Sequence, residues 1–420
     1  MSRRVFRAGA LCAATTAALA VGVASASASA LYVSNTTPIV KGGKSCTAPG
    51  YNSVQAAIEA GSTIDVCPGT YTEQLSITKA VKLVAVAGTG TATVQLPATA
   101  PDSTNKCDTE TPEGQIDEIS ICTSGTVTIT DLNVEALIPI ETCTKGLNGI
   151  FVAGGATLKA SNLTVNGAGT TLDGAKGCQH GISIAVGLKT PNEVGHAILK
   201  EVTSVGYEKN GPTVRGVGST LAMSASTVTG WGATPYIAQN GVEIAYGATG
   251  VVKSSTISGN ECEYPGVCGA TGVQATGVLF YKAAPGSSVA SSTITENDQG
   301  VYYASGSASV PVSPDVTISK DVLASNRYEG VFLEEGKAAL TNDTINGSGL
   351  VGIELFQTDE QASASESSAT NTKISGQSQA SIKVSSDKQP TDKPGKFTFS
   401  KGTAAAPVLI NESSSFEVIF

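Results

Sequence analysis

One short phrase constrains the fold of this chain more than any other feature: any residue, then Gly, then Val or Ile. Its successive copies lie 22 to 36 residues apart, which is a spacing typical of solenoid repeats. After each Gly, apolar residues alternate with others, as at Val242 and Ile244, and such alternation predicts a strand with one buried face. The eight copies are Asn148-Gly149-Ile150, His180-Gly181-Ile182, Arg215-Gly216-Val217, Asn240-Gly241-Val242, Thr276-Gly277-Val278, Gln299-Gly300-Val301, Glu329-Gly330-Val331 and Val351-Gly352-Ile353.

A second phrase, Thr then Val or Ile, follows the first in most repeats and predicts another strand. It lies within residues 163–167, 226–230, 255–260, 292–297 and 343–347. One such repeat cannot bury its apolar face alone, whereas a stack of repeats can. Because parallel crossovers are right-handed, we predict an all-β fold, a right-handed parallel β-helix. The competing fold, a β-propeller, has antiparallel blades of about 40 residues.

The two ends of the chain differ from the repeats. Residues 1–30 are predicted to be a signal peptide, because Arg3, Arg4 and Arg7 precede an apolar stretch and an Ala-Ser-Ala cleavage site. These arginines suit either a twin-arginine export signal or an ordinary basic region. Residues 31–62 are predicted to form an N-terminal segment with a capping helix, N-capped by Ser53 and C-capped by Gly61. Residues 63–356 then form the coils, and residues 357–420 form final coils or a C-terminal cap.

The start of the predicted coils carries a family resemblance. The run from the capping helix through Pro68-Gly69-Thr70-Tyr71 to residue 88 resembles the beginning of the pectin-lyase-like β-helix superfamily. The later repeats resemble the generic right-handed β-helix region of that superfamily. The resemblance implies the fold and an association with polysaccharides, but no particular enzyme, because a fold alone does not determine function.

Charge and cysteine content limit the partners and the compartment. The net charge is −9, and removal of the three leader arginines makes it −12, so phosphate backbones are repelled and nucleic acid is not an expected partner. No segment beyond the leader is apolar enough to span a membrane. Eight of the nine cysteines follow the leader, and an even number indicates disulfides in an exported protein. The Arg-Arg opening and the Ala-rich apolar stretch of the leader favour a bacterial source. Proximity favours the pairs Cys46–Cys67, Cys107–Cys122, Cys143–Cys178 and Cys262–Cys268, although other pairings remain open.

Three residues are weak catalytic candidates. His180 lies in a strand similar to the His-containing strand of polygalacturonase-type hydrolases, but the paired Asp residues of those enzymes are missing upstream. Arg215 suits the proton-abstracting base of a polysaccharide lyase, with Glu243 as the one nearby acid. The repeated phrase places Arg215 in the same column as His180 and Asn240, one coil apart on either side. Such a lyase needs several acids as calcium ligands. Because no catalytic motif is complete, the sequence leaves open whether the protein is an enzyme.

An outward stripe on the first strand is the candidate ligand site. If the first and third residues after each Gly point into the core, the second and fourth residues point outward. Aromatic faces stack on sugar rings, and carboxylates accept hydroxyl hydrogen bonds. Loops that cover these rings are the alternative interpretation. The selected residues are Phe151, Glu243, Tyr281, Tyr302, Phe332, Glu334, Glu354 and Phe356.

An acidic segment between Cys107 and Cys122 is a weak metal candidate. Its carboxylates include Asp108, Glu110 and Asp117, so calcium is the one cofactor suggested, although the spacing matches no calcium loop and favours a solvated loop. Two hypotheses follow for the whole chain. It is a secreted protein that binds, or also processes, an extracellular or cell-envelope polysaccharide along the stripe. Alternatively, it is a non-catalytic structural or adhesion protein of the cell surface.

Overall fold

Three long parallel sheets, each receiving one strand from almost every coil, make up the fold. A computed structural model describes residues 29–88, 90–99, 107, 115–138, 143, 146–170, 176–189, 193–304, 316–357, 366–386, 395–411 and 416–420. Within these ranges the chain has a single helix, Val54–Ala60. The predicted parallel β-helix is therefore confirmed.

The strands of each sheet follow one another along the axis of the helix. Sheet 1 contains Leu31–Val33, Thr63–Val66, Val81–Ala85, Thr126–Thr130, Ala156–Ser161, Gly195–Lys200, Thr220–Ser224, Thr249–Lys253, Ser287–Ala290, Val316–Ser319, Ala338–Thr341, Glu366–Thr370, Gly395–Ser400 and Phe416–Ile419. Sheet 2 contains Leu75–Ile77, Gln115–Cys122, Gly146–Ala153, Ile182–Val186, Asn210–Arg215, Asn240–Ala245, Thr276–Tyr281, Gln299–Ala304, Glu329–Glu334, Val351–Gln357, Ala380–Ser386 and Leu409–Asn411. Sheet 3 contains Gly69–Thr72, Ala92–Gln95, Leu132–Ile138, Thr164–Thr170, Thr203–Val205, Thr227–Thr234, Thr256–Cys262, Thr293–Asn297, Val322–Ala324, Thr344–Asn346, Lys373–Ser375 and Thr403–Ala404.

The recurring Gly of the first phrase is explained by close packing inside the coil. Six of the eight glycines lie in strands of sheet 2, and four of these six face an Ile side chain of sheet 3. A β-carbon would lie 2.3–2.6 Å from the facing Cγ2 methyl, well inside the 3.5–4.0 Å at which carbon atoms attract. The pairs are Gly241 with Ile257, Gly277 with Ile294, Gly330 with Ile345 and Gly352 with Ile374.

One coil meets the same spatial requirement with different residues. Ser183 stands in the Gly position of strand Ile182–Val186, and Ser204 replaces the branched residue of sheet 3. The Ser204 hydroxyl donates to Ser183 Oγ at 2.7 Å, and both side chains are buried. The smaller residue in sheet 3 makes room for the larger one in sheet 2, and a hydrogen bond satisfies both hydroxyls.

Asparagine side chains form a ladder where sheet 3 turns into sheet 2. The Asn260 amide donates to Asn297 Oδ1 at 2.8 Å, and the Asn297 amide donates to Asn326 Oδ1 at 3.0 Å. All three side chains are buried, so the ladder satisfies polar groups that the turn would otherwise leave without partners.

A second ladder follows the turn from sheet 1 to sheet 3. The N–H of Ser292 donates to Asp321 Oδ1 at 2.7 Å, and the N–H of Asp321 donates to Asp343 Oδ1 at 2.9 Å. Burial raises the pKa of Asp321 to about 7 and that of Asp343 to about 8. The two carboxyls therefore hold protons in the folded chain at a pH where unfolded Asp is ionised.

The helix Val54–Ala60 begins and ends where the sequence predicts. Ser53 is its N-cap, because Ser53 Oγ accepts the Ala56 N–H at 3.1 Å. The Glu73 carboxylate accepts the first two helical N–H groups, at 2.7 and 3.1 Å, and a negative charge is stabilising at this end of a helix. Gly61 is the C-cap, in extended rather than left-handed backbone. The helix buries its apolar face against the core at the N-terminal end of the coils.

Four disulfides join the cysteines in the pairs that proximity favours. They are Cys46–Cys67, Cys107–Cys122, Cys143–Cys178 and Cys262–Cys268. At the other end of the chain, strands from Glu366–Thr370 to Phe416–Ile419 extend all three sheets, so the described part of residues 357–420 consists of coils. The signal-peptide prediction falls almost entirely outside the described residues. No helix within the described ranges is both long and apolar enough to span a membrane.

Candidate functional site

The outward face of sheet 2 carries three columns of side chains that run from strand to strand along the helix axis. The middle column passes through Leu279, Tyr302, Phe332, Glu354 and Lys383. The column on one side passes through Tyr281, Ala304, Glu334, Phe356 and Ser385. The column on the other side passes through Thr276, Gln299, Glu329, Val351 and Ala380.

A groove of about 610 Å³ lies over the C-terminal part of this face. Its floor is formed by four consecutive strands of sheet 2, from Gln299–Ala304 to Ala380–Ser386, and one wall is the segment 270–274. Strands in a sheet lie about 4.8 Å apart, so four strands give the groove a length of about 14 Å along the helix axis.

Three aromatic side chains from successive coils lie along the groove floor. The Tyr302 and Phe332 rings meet edge to face with centroids 5.1 Å apart, and the Phe332 and Phe356 rings stack with centroids 6.2 Å apart. All three side chains are half-buried. The Tyr302 hydroxyl donates to the Glu334 carboxylate, which fixes the first ring of the series. The three rings thus present a continuous apolar surface.

Glu354 lies at the centre of the polar part of the floor. Its Oε1 accepts from Lys383 Nζ at 3.1 Å and from the Ser385 hydroxyl at 2.8 Å. Its side chain is 10 % exposed and that of Lys383 is 22 % exposed. The ion pair is therefore largely desolvated, and the charge of each partner depends on the other.

Glu329 is a second carboxyl of the groove, and it is 3 % exposed. Burial, followed by the charge of Glu354, raises the pKa of Glu329 to about 8. Hydrogen bonds from Gln299 and Gln274 act against that shift without cancelling it. Glu329 Oε2 is buried and has no hydrogen-bond partner among the described residues. At neutral pH the groove thus contains one protonated carboxyl, Glu329, beside the ion-paired Glu354.

The wall segment is held by a buried carboxylate. Asp298 Oδ2 accepts the N–H of Cys262 at 3.0 Å and the N–H of Ala275 at 2.9 Å, and these residues stand at the two ends of the loop. Arg327 approaches Asp298 Oδ1 at 2.6 Å, and the Cys262–Cys268 disulfide closes the first half of the loop. The wall is therefore anchored at both ends.

Phe151, the first residue of the predicted stripe, is a correction. Its side chain points out of the coil but is fully buried, in a small cluster with Cys107, Ile182 and Leu188. Cys107 is tied to this face by its disulfide with Cys122. Phe151 is thus covered, and it is not available to a ligand.

Glu243 and Arg215 pair with each other, and neither lines the groove. Arg215 Nη2 lies 2.9 Å from Glu243 Oε2, and the amide of Asn210 donates to the same oxygen. Glu243 is 6 % exposed. In the register of the sheet, Arg215 faces Ala245 and not Asn240, so its predicted place in the first column is wrong.

His180 is also outside the column predicted for it. Ile182, two residues later, pairs with Asn148 and with Asn210, so His180 precedes its strand. The reason is shared with Arg215: Gly181 and Gly216 have φ of +103° and +87° and serve as turn residues. In sequence, a turn Gly followed by Val or Ile is indistinguishable from the close-packed Gly of sheet 2 followed by Val or Ile. Both ring nitrogens of His180 are buried without a hydrogen-bond partner among the described residues.

The two remaining stripe residues lie beside the groove. Tyr281 meets Tyr246 edge to face with centroids 5.3 Å apart, and Lys282 Nζ lies 5.2 Å from the Tyr281 centroid. Glu334 accepts from Tyr302. Sequence reasoning therefore selected Tyr302, Phe332, Glu354 and Phe356 from the residues that line the groove and missed Glu329 and Lys383. Glu329 is the first residue of a copy of the phrase, and that position points outward.

Of the three residues in the predicted metal site, only Asp117 lies among the described residues. Asp108 and Glu110 lie outside the described residues. Asp117 belongs to strand Gln115–Cys122, where it is 4 % exposed and accepts from the Asn148 amide at 2.8 Å. Among the described residues, the one group with metal-ligand spacing is Cys143, Cys178 and His180, and its two sulfur atoms form a disulfide.

Comparison with protein-family models assigns the family. Residues 117–369, more than half of the chain, match the model described as the right handed beta helix region. The chain belongs to the right-handed β-helix family. The match confirms that the repeats of this β-helix protein are a right-handed β-helix region. The matching model describes the repeat region and names no enzyme. The comparison with curated proteins gives no match.

Solved structures similar to this β-helix protein include three carbohydrate-related proteins. XylC in complex with xylose has 9 % identity and a TM-score of 0.50, with 93 % of this chain and 86 % of that chain covered. The A-module of the Azotobacter vinelandii mannuronan C-5 epimerase AlgE4 has 13 % identity and a TM-score of 0.44, with coverage of 87 % and 95 %. A double mutant of the periplasmic alginate epimerase AlgG has 11 % identity and a TM-score of 0.43, with coverage of 85 % and 77 %. At such identities, the similarity concerns the fold alone.

Proposed function

We propose that this β-helix protein binds an extracellular or cell-envelope polysaccharide in the groove on the outward face of sheet 2. The observation that carries the proposal is the row of three rings, Tyr302, Phe332 and Phe356, beside the carboxyls Glu329 and Glu354. Aromatic faces pack on the apolar faces of sugar rings, while convergent polar groups orient the hydroxyls. The similar fold of XylC, a protein solved in complex with xylose, agrees with a carbohydrate ligand.

The shape of the groove favours a chain-like ligand. The rings belong to consecutive coils, so they follow one another along the helix axis, and the wall at 270–274 runs beside them. A sugar chain lying parallel to the axis would contact each ring in turn. We therefore propose that the bound polysaccharide crosses the strands of sheet 2 at a right angle.

The proposed place of action is outside the cytoplasm of a bacterium. Four disulfides support this compartment, since disulfides persist in oxidising surroundings. The arginine-rich, apolar N-terminus supports export by a signal peptide.

A glycan array tests the proposal. The exported chain is applied as wild type, as Phe332→Ala and as Phe420→Ala, the last being a matched control whose ring is 62 % exposed and does not line the groove. Loss of the central ring should weaken binding by about tenfold to a hundredfold, by analogy with the ~1–3 kcal/mol that a nucleic-acid base gains by stacking on an aromatic side chain. Phe420→Ala should bind like wild type. Failure of the wild type to bind any glycan would favour the structural or adhesion alternative.

Processing of the bound polysaccharide is a second candidate, favoured by one observation. Glu329 holds a proton at neutral pH, and Glu354 in the same groove is a carboxylate paired with Lys383. A protonated and an ionised carboxyl are the two groups that glycoside hydrolysis uses, one to protonate the leaving oxygen and one to activate water. Release of reducing ends from the glycans that bind, abolished in Glu329→Gln, is the expected result. Binding without any release would exclude this candidate.

A further inference from the structure

We infer that the groove selects uncharged polysaccharides and rejects polyuronates. The inference rests on the proposed glycan-binding function and adds the class of glycan. The inference follows from which charged groups lie on the groove floor and from the ion pairs and hydrogen bonds that each of them makes.

The first observation is that the groove offers no free positive charge. Among the described residues that line it, Lys383 is the only cation. Its Nζ lies 3.1 Å from Glu354 Oε1, so its charge is already neutralised. A uronate carboxylate entering the groove would lose its water without gaining a cationic partner, and that loss is costly.

The second observation is that the remaining polar groups suit hydroxyls. Gln299, Gln274 and Ser385 offer uncharged donors and acceptors. Glu329 is buried, and its Oε2 has no partner among the described residues. A sugar hydroxyl can both donate and accept, so it can satisfy that oxygen whichever way the proton lies. A carboxylate can only accept.

The third observation concerns the charge of the whole molecule. The chain carries a net charge of −9 before removal of its basic leader. Glu334 adds a further carboxylate beside the rings, where the Tyr302 hydroxyl binds it. A polyanion would therefore be repelled on approach as well as in the groove, and this repulsion weakens as salt is added.

Two forms of one polymer make the sharpest test, because they share linkage and shape. Polygalacturonate and its fully methyl-esterified form are compared on the array beside neutral glucans, xylans and mannans. Wild type should bind neutral glycans and should bind the acidic polymer at least about tenfold more weakly than its ester at low salt. A preference for the acidic form would overturn the inference and leave the proposed function standing. If the wild type binds no glycan at all, the proposed function itself is overturned.

The variant Glu354→Gln tests the cause. Removing this carboxylate releases the Lys383 ammonium, so binding of polygalacturonate should rise by about tenfold while binding of neutral glycans should not rise. An unchanged ratio of acidic to neutral binding would refute the role of the ion pair. The wild-type comparison remains decisive if this variant folds poorly.

A pH series gives a second measurement. The groups that face Glu329 are Gln299, Gln274, Glu354 and Lys383. Burial raises the pKa of Glu329 to about 8, so the ratio of acidic to neutral glycan binding should fall further above that pH, as a negative charge without a cationic partner develops in the groove. Glu329→Gln cannot ionise, so the ratio of acidic to neutral binding measured for this variant should not change with pH over this range. A wild-type profile that stays flat from pH 6 to about 10 would contradict the role given to Glu329.

Discussion

Replacing Gly330 by Ala tests the packing that explains the repeat. The added β-carbon would lie 2.4 Å from Ile345 Cγ2 and 2.8 Å from the backbone oxygen of Gly352. Carbon atoms attract at 3.5–4.0 Å, so the two methyl groups must separate by more than about 1 Å. The Gly352 oxygen belongs to the next coil, and moving it would disturb the ladder between strands.

The expected cost follows from that geometry. Overpacking of a well-packed core costs about 1–3 kcal/mol. The lower entropy of an unfolded chain with Ala in place of Gly offsets about 0.4–1 kcal/mol. We therefore expect the free energy of unfolding to fall by about 1–2 kcal/mol, measured from the urea midpoint and slope with far-ultraviolet circular dichroism.

Two further variants decide whether the facing methyl is the cause. Gly88→Ala is the matched control, because its β-carbon would lie no closer than 3.4 Å to a neighbour and its φ is not in the left-handed region. In an Ile345→Ala background, Gly330→Ala should cost less than in wild type, because the space beside the glycine is then open. The reasoning is refuted if Gly330→Ala costs no more than Gly88→Ala, or if the Ile345→Ala background leaves its cost unchanged.

Two other predictions concern the Asp ladder and the groove wall. The pKa of Asp343 is about 8 in the folded chain and about 3.9 in the unfolded chain. Between these pH values the folded chain binds more protons than the unfolded chain. Its stability should therefore fall as pH rises from about 4 to about 8. Asp343→Asn keeps an oxygen for the Asp321 N–H and cannot ionise, so its melting temperature should fall less over that range than that of wild type, and equal falls would contradict the assignment. Asp298→Ala removes the acceptor at both ends of the wall, so residues 263–275 should exchange amide hydrogens faster and glycan binding should weaken. Unchanged exchange in that loop would show that the disulfide alone holds the wall.

The fold could be predicted because its main signals are local and repeated. The alternation after each Gly, as at Val331 and Leu333, places both side chains in the core, and Ser53 caps the helix as its position indicates. The register failed in two coils, because the turn glycines Gly181 and Gly216 imitate the repeated phrase. In the coil of strand Ile182–Val186, the position that Gly occupies elsewhere holds Ser183. Only the contact of Ser183 with Ser204 in the structure reveals this substitution.

The candidate site was only partly predictable, since exposure depends on segments distant in sequence. Phe151 and Phe332 occupy equivalent outward positions, yet the first is buried in a cluster with Cys107, while the second lines the groove beside the wall at 270–274. Glu329 and Lys383 could be recognised only from the register, because each faces partners on other coils.

A crystal structure with a bound oligosaccharide tests the central claim most directly. The protein is soaked with the oligosaccharide that gives the strongest array signal. We expect sugar rings against Phe332 and Phe356, running along the helix axis beside residues 270–274, with hydroxyls bonded to Glu354 or Glu329. A sugar bound on another face, with the groove over these rings empty, would contradict the account.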